Sequence, residues 1–241
     1  MCTVTFIPLK DRVYLTSNRD EKISRKKAFI PEPGRYNNQH FLFPKDADAG
    51  GAWILAKENG DAAVLLNGAF VNHVHQPPYR KSRGIILLDL MVEDKPTAHF
   101  TNMNLENIEP FTVILKECDT LNELRWDGKK HYVKKLSGQE PMIWSSATLY
   151  DPLVIKQREA WFFEFIKNNP TPSQEDIFSF HQFTGGGDLR NDLLMYRDGV
   201  YSTVSITSIE LTNDQTSMIY LDLADDKKYK SDFTRKAIPV K

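Results

Sequence analysis

Four residue positions carry chemistry that could act on a carbonyl group: Cys2, the pair Arg19-Asp20, and Asn67. Cys2 stands directly behind the initiator methionine, so loss of Met1 would leave a cysteine with a free α-amino group. A thiol attacks well only as the thiolate, and neighbouring cations favour that form. An N-terminal α-amine has a pKa near ~8, which lets it serve as base to its own side chain. Arg19 would then favour the thiolate and Asp20 would orient the ammonium group. Asn67 could donate an amide hydrogen to an oxyanion, a contribution of roughly 3 kcal/mol for one good donor.

These residues need elements that bring them together. Thr3 to Ile7 and Val13 to Ser17 are β-rich runs flanking a polar Lys10-Asp11 turn. In such a hairpin, opposing residue numbers total about 21, which sets Cys2 across from Arg19 at a Cβ separation of about 5 Å. Asn18, Arg19 and Asp20 become its cross-strand neighbours. A second hairpin runs from Ala52–Leu55 through Glu58-Asn59-Gly60-Asp61 to Ala63–Leu66. Asn-Gly supplies the positive φ angles of a tight primed turn, with opposing numbers totalling about 119 and Asn67 facing Ala52. Gly50-Gly51 and Asn67-Gly68 then meet at its open end. Both hairpins carry their polar residues at the open end.

Beyond the hairpins, Arg83–Glu93 reads as a buried helix and Pro96–Asn102 as a second helical segment. Pro110–Cys118, Asn122–Trp126, Lys130–Leu136 and Met142–Leu149 read as strands. Pro152–Asn168 is a helix with proline in its first turn and an aromatic stripe. Ser173–Phe183 is another helix, closed by Gly185-Gly186-Gly187. Tyr201–Leu211 and Ser217–Leu223 pair as strands around Thr212-Asn213-Asp214-Gln215. Strand runs separated by helix pairs point to an α+β domain in which two sheets stack with helices outside. Nothing in the composition marks a boundary, so one domain over 1–241 is expected.

With 41% apolar and 26% charged residues, the composition is that of an ordinary globular chain. A formal net charge of −1 leaves no basic footprint for nucleic acid. Two cysteines cannot build a disulfide scaffold or an all-cysteine zinc site. No apolar run has the length of a membrane span, and the N-terminus lacks a secretory pattern, so a cytoplasmic location is expected. His73-Val74-His75 has alternate spacing, but no acidic partner is fixed nearby in sequence, and no metal is expected. Gly185-Gly186-Gly187-Asp188 lacks the Gly-Lys-Ser/Thr ending of a phosphate loop. Cys118 falls in an apolar strand and reads as inert. The Trp161-Phe162-Phe163-Phe165 cluster reads as core. Phe70, Tyr79 and Trp144 could line an apolar pocket.

Several of these residues resemble one family. Met1-Cys2, the tetrad Asn18-Arg19-Asp20-Glu21 and the following Arg25 are similar to the NRDE family, also called the Transport and Golgi organisation family. Gly50-Gly51-Ala52-Trp53 resembles its Gly-Gly-Thr-Trp element, and Leu66-Asn67-Gly68 its following strand end. Trp144 to Asp151 resembles its Leu-Ser-Asn-x-x-Leu-Asp segment, with Ser146 where that segment usually has Asn. After Thr203 the family commonly has Arg, and this chain has Val204. The resemblance implies a four-layer αββα sandwich of the N-terminal nucleophile hydrolase type. It assigns catalytic roles to Cys2, Arg19, Asp20 and Asn67; Asn18, Trp53 and Ser146 are expected to contact substrate.

The expectation is therefore a cysteine amidohydrolase acting on a non-peptide linear amide and activated by removal of Met1, without cofactor. The alternative is a non-catalytic binding or trafficking protein that keeps the fold and holds an amphipathic ligand, haem or an acyl chain. The partner is a small molecule in either case.

Overall fold

The computed structural model describes residues 3–234. One sheet has the order β10 (Met142–Ser145), β1 (Thr3–Pro8), β2 (Arg12–Lys22), β12 (Tyr201–Thr212), β13 (Gln215–Asp222), β14 (Lys227–Thr234), with β11 (Tyr196–Arg197) paired to β12. The other runs β3 (Phe29–Tyr36), β4 (Gln39–Lys45), β5 (Ile54–Lys57), β6 (Ala62–Asn67), β7 (Phe111–Glu117), β8 (Thr120–Trp126), β9 (His131–Leu136). All the pairings are antiparallel.

The two-residue period of each strand builds the layers. Val4 and Phe6 of β1 enter a core between the sheets with Leu15, Trp53, Val64, Leu66, Ile209 and Met218. Ile7 and Tyr14 point the opposite way, against Phe162, Ile177 and Phe180. These last come from α3 (Pro152–Asn168) and α4 (Gln174–Phe183). The outer face of the second sheet, through Leu55, Ala63, Leu65, Val113 and Leu115, packs on α1 (Arg83–Met91) and α2 (Pro96–Phe100). Helices, sheet, sheet, helices is the αββα sandwich expected from sequence.

Local signals set the helix starts. Asp151 caps α3 by accepting from the N–H groups of Leu153 and Val154, and Pro152 follows where no donor is needed. Ser173 and Asp176 form a reciprocal capping box at α4. Ser82 caps α1, whose first turn lies hard against the Gly50-Gly51 element. A Cβ on Gly51 would come within 2.5 Å of the Gly84 backbone, so only glycine admits this approach.

Five features differ from the sequence reading. The second hairpin turns through three residues, with Lys57 N–H donating to Asp61 O and only Gly60 of the Asn-Gly pair at positive φ. Its register, Ile54↔Val64, is shifted by one residue from that of a two-residue Asn-Gly turn, because the loop is one residue longer. The strand expected over Met142–Leu149 stops at Ser145, because Ser146 begins a turn closed by the N–H groups of Leu149 and Tyr150. Cys118 lies beyond β7 in the turn to β8, exposed and at φ 48°, rather than within an apolar strand. The aromatic stripe of α3 is mixed: Phe162 is fully buried while Phe163 is exposed. Finally β3, β4 and β14 carry no strong apolar alternation, as suits strands at or near a sheet edge.

Candidate functional site

The first hairpin has the register that its turn dictates: Leu9 N–H donates to Arg12 O, and Thr3 pairs with Asn18. Cys2 lies outside the described residues. On β2, Leu15, Ser17 and Arg19 alternate onto the inter-sheet side, where Arg19 reaches the upper edge of the core. Its guanidinium sits 4.2 Å from the Trp53 ring centroid and bonds the Asp46 carboxylate. Arg25 binds the same carboxylate through two hydrogen bonds of 2.9 Å. Asp46 also accepts from the backbone N–H groups of Asp48 and Ala49, so one carboxylate serves two guanidiniums and a turn.

Burial pushes the Arg19 pKa down, while Asp46 and Glu21 pull it up. Burial likewise raises the Asp46 pKa, but Arg25, the Ala49 N–H and Arg19 outweigh it and leave the carboxyl below its ordinary value of 3.8. A carboxyl whose folded pKa is depressed stabilises the fold above its unfolded pKa and loses that contribution as pH falls through the folded value. Asp46→Asn is therefore expected to cost about 3 kcal/mol at pH 7, since it strands two cations of which Arg19 is buried. Urea unfolding should show the gap between variant and parent closing below pH 3.8.

Arg19, Trp53, Asp46 and Asn67 line one cleft of about 380 Å³, together with Tyr79, Arg83 and Glu109. Asn67 ends β6, and Gly68 follows at φ 79°, where an added Cβ would strike the Thr148 methyl at 2.7 Å. Ser146, fully buried, donates its hydroxyl to the Asn67 carbonyl at 2.9 Å and pairs with Thr148 Oγ1 at 2.9 Å. It ties the edge strand of one sheet to the strand end of the other and does not line the cleft. Trp53 does line it, almost fully buried under Arg19.

Asp20 turns to the other face of β2. Tyr150 donates to Asp20 Oδ2 at 2.9 Å, and Thr203 donates to Oδ1. Thr203 pairs with Asp20 and Ser205 with Arg19, leaving Val204 as the extra residue of a β-bulge. Bulges re-aim side chains at strand ends, and here Val204 lines a second chamber of about 280 Å³. That chamber shares Arg19, Glu21 and Arg25 with the cleft and adds Ile23, Tyr220 and Leu223.

Asn18, expected to contact substrate, is fully buried on the helix side instead. Its amide donates to the carbonyls of His181 and Leu193, and its Oδ1 accepts from His181 Nδ1 at 2.5 Å. With both donors and its oxygen engaged, it has a structural part. The His181 Nε2 is thereby the acceptor for Thr5 Oγ1 at 2.8 Å. Burial, and then the charge of Arg158, push the His181 pKa down to about 3. Between 6.5 and that value the unfolded chain binds one proton more than the folded one, so stability falls with acid. The expected slope is about 1.4 kcal/mol per pH unit from this residue. Urea titrations of the parent and His181→Asn between pH 4 and 7 should show it in the parent alone.

At the cleft rim, Glu109 Oε1 takes His73 Nε2 at 3.1 Å and His75 Nδ1 at 3.3 Å, while Oε2 meets Arg83 at 3.1 Å. An acidic partner for the histidine pair thus exists, brought from a distant segment. Among the described residues no cluster of His, Cys, Asp or Glu could hold a metal ion. Asp46, Tyr150 and Thr203 are the residues that sequence reasoning missed. Asp46 lies just ahead of the Gly50-Gly51 element, whereas Tyr150 and Thr203 meet Asp20 only through the fold.

The stacked sheets with helix layers outside define the N-terminal nucleophile hydrolase fold. An N-acylethanolamine-hydrolyzing acid amidase ortholog from Caenorhabditis elegans shares it, with a TM-score of 0.51 and 14% identity over 86% of this chain and 92% of its own. A Cys-to-Ala mutant of conjugated bile acid hydrolase from Clostridium perfringens superposes with a TM-score of 0.53 and 11% identity, over 99% of this chain and 97% of its own. An Arg-to-Leu variant of the same hydrolase gives 0.52 and 10% identity with both chains fully covered. No curated protein matches the sequence at a significant level. The family model for Transport and Golgi organisation 2 matches residues 1–229, and the chain belongs to that family. Among the described residues no helix is long and apolar enough to cross a membrane.

Proposed function

We propose that this protein is a cysteine amidohydrolase of the N-terminal nucleophile type, acting on a non-peptide linear amide once Met1 is removed. One observation supports the reading: the Thr3↔Asn18 register is the one that the expected pairing of Cys2 with Arg19 requires, and Arg19 and Asn67 line one cleft.

The chemistry follows from those residues. The Cys2 thiol gives its proton to its own α-amine, and the thiolate attacks the amide carbon. Negative charge moves to the carbonyl oxygen, where the Asn67 amide donates. The C–N bond breaks as the α-ammonium returns a proton to the leaving amine. Water, deprotonated by the α-amine, then attacks the thioester and releases the carboxylic acid and the thiol. Arg19 favours the thiolate, and Asp20 accepts from the ammonium.

The test is to incubate the protein with a set of N-acyl aminocoumarins of graded acyl length and to search the N-terminal peptide for an acyl adduct. An adduct on the Cys2 sulfur with release of the amine is the expected result. Absence of both across the set overturns the reading. A second reading, a carrier for an amphipathic ligand such as an acyl chain or haem, draws on the apolar chamber beside Arg19, with Lys22 and Lys26 at its rim. Under it, dodecanoate binds equally to the parent and Cys2→Ser, and no amine is released.

A further inference from the structure

Arg158 on α3 is fully buried, yet among the described residues no carboxylate pairs with it. Its hydrogen bonds go to neutral acceptors: Asn191 O from Nε at 3.1 Å and from Nη2 at 3.0 Å, Asp192 O at 2.6 Å, and Thr3 Oγ1 at 2.5 Å. Its guanidinium carbon lies 3.6 Å from the centroid of the Tyr150 ring, and Arg197 lies 4.9 Å from the same ring. The Tyr150 hydroxyl donates to Asp20, whose other oxygen takes Thr203. His181, also near Arg158, is held neutral and contributes no compensating charge.

Burying a guanidinium without a counter-ion costs several kcal/mol, so the arrangement needs a source of compensation. Four hydrogen bonds and the face of a phenol provide part of it. A cation on the ring face also withdraws electron density from the phenol, which makes its O–H a stronger donor to a carboxylate. The same guanidinium grips Thr3, the residue next to the proposed nucleophile.

We propose that Arg158 and Tyr150 form a positioning pair that fixes Asp20, and with it the α-ammonium of Cys2, from behind the sheet. This rests on the amidohydrolase reading, since it assigns Asp20 to the ammonium of the processed chain. Arg158 acts through Thr3 on the start of β1, and Tyr150 acts through its hydroxyl on the Asp20 carboxylate. When the amine takes the thiol proton, the resulting ammonium is stabilised by a carboxylate that can no longer rotate away.

The test uses the full chain carrying Cys118→Ser, so that Cys2 is its single thiol, with removal of Met1 verified by mass. The rate of alkylation by iodoacetamide is followed from pH 5 to 10. The parent should titrate well below the ordinary thiol value of about 8.5. Tyr150→Phe keeps the ring and removes the donor. It should raise the midpoint by about one unit and slow alkylation at pH 7 by about tenfold, with circular dichroism and Tm confirming the fold. Arg158→Gln should shift the midpoint in the same direction, and Arg158→Lys, which keeps the charge, should shift it less. Should Arg158→Gln fail to fold, Tyr150→Phe decides alone. A parent with a depressed midpoint and a Tyr150→Phe variant with the same midpoint overturns the positioning pair and leaves the amidohydrolase reading standing. A parent that titrates as a free cysteine overturns both.

Discussion

Cys2→Ser is expected to lower kcat for amide hydrolysis by at least about 10⁴-fold, because removal of a nucleophile leaves only the contribution of oxyanion donors and binding. Serine keeps the size and position of the side chain, but its hydroxyl is far less acidic than a thiol. An α-amine with a pKa near ~8 can take a thiol proton at neutral pH and cannot match a hydroxyl in the same way. Ligand affinity should hold within a few-fold, since sulfur and oxygen fill nearly the same space. Cys118→Ser is the control: that thiol sits in an exposed turn between β7 and β8 and should leave turnover unchanged. A Cys2→Ser protein that turns over at the parental rate would remove the nucleophile from the account.

Asn67→Ala is expected to lower kcat by 10²- to 10³-fold, roughly 3 kcal/mol of transition-state stabilisation, with KM changing little. The split matters because an oxyanion donor strengthens its bond only as charge develops on the carbonyl oxygen. Asn67 suits this role by its placement. Its backbone is held at one side by the Ser146 hydroxyl and at the next residue by Gly68 N–H to Pro110 O, so the side chain projects from a fixed strand end. That backbone network survives the substitution, so the expected loss is kinetic. A variant that raised KM and kept kcat would assign Asn67 to ground-state binding.

Ser146 gains a physical meaning in this light. It was expected to contact substrate, but its hydroxyl is spent on the Asn67 carbonyl and on Thr148. A short side chain there supports the oxyanion donor from behind. Val204 has a comparable explanation, as the unpaired residue of the bulge that lets Thr203 reach Asp20 while Arg19 keeps its place on the opposite face.

What the sequence made legible was mainly local. A polar two-residue turn and flanking β-rich runs determine the first hairpin and its register from Thr3 onward. Proline after Asp151 and the Ser173 cap mark α3 and α4 for the same reason. The place of Asn18 was also within reach: if Arg19 faces the cleft, a two-residue period sends Asn18 to the helices. The β3–β4 hairpin carried a readable turn as well, since Asn37 and Asn38 take φ of 46° and 67°, the left-handed angles that asparagine tolerates. Its strands were hidden by prolines and charges that suit an edge. Asp46, Tyr150 and Arg158 were not legible, because each reaches the site across the fold from a separate element. The bulge at Val204 follows from sheet geometry and leaves no composition signal.

The central claim, that a processed N-terminal cysteine is the reactive group, is tested most directly by the intact mass of the purified, active protein. The hydrolytically active fraction should lack one methionine residue and begin at Cys2. Quantitative retention of Met1 in a protein that hydrolyses amides at full rate would contradict it.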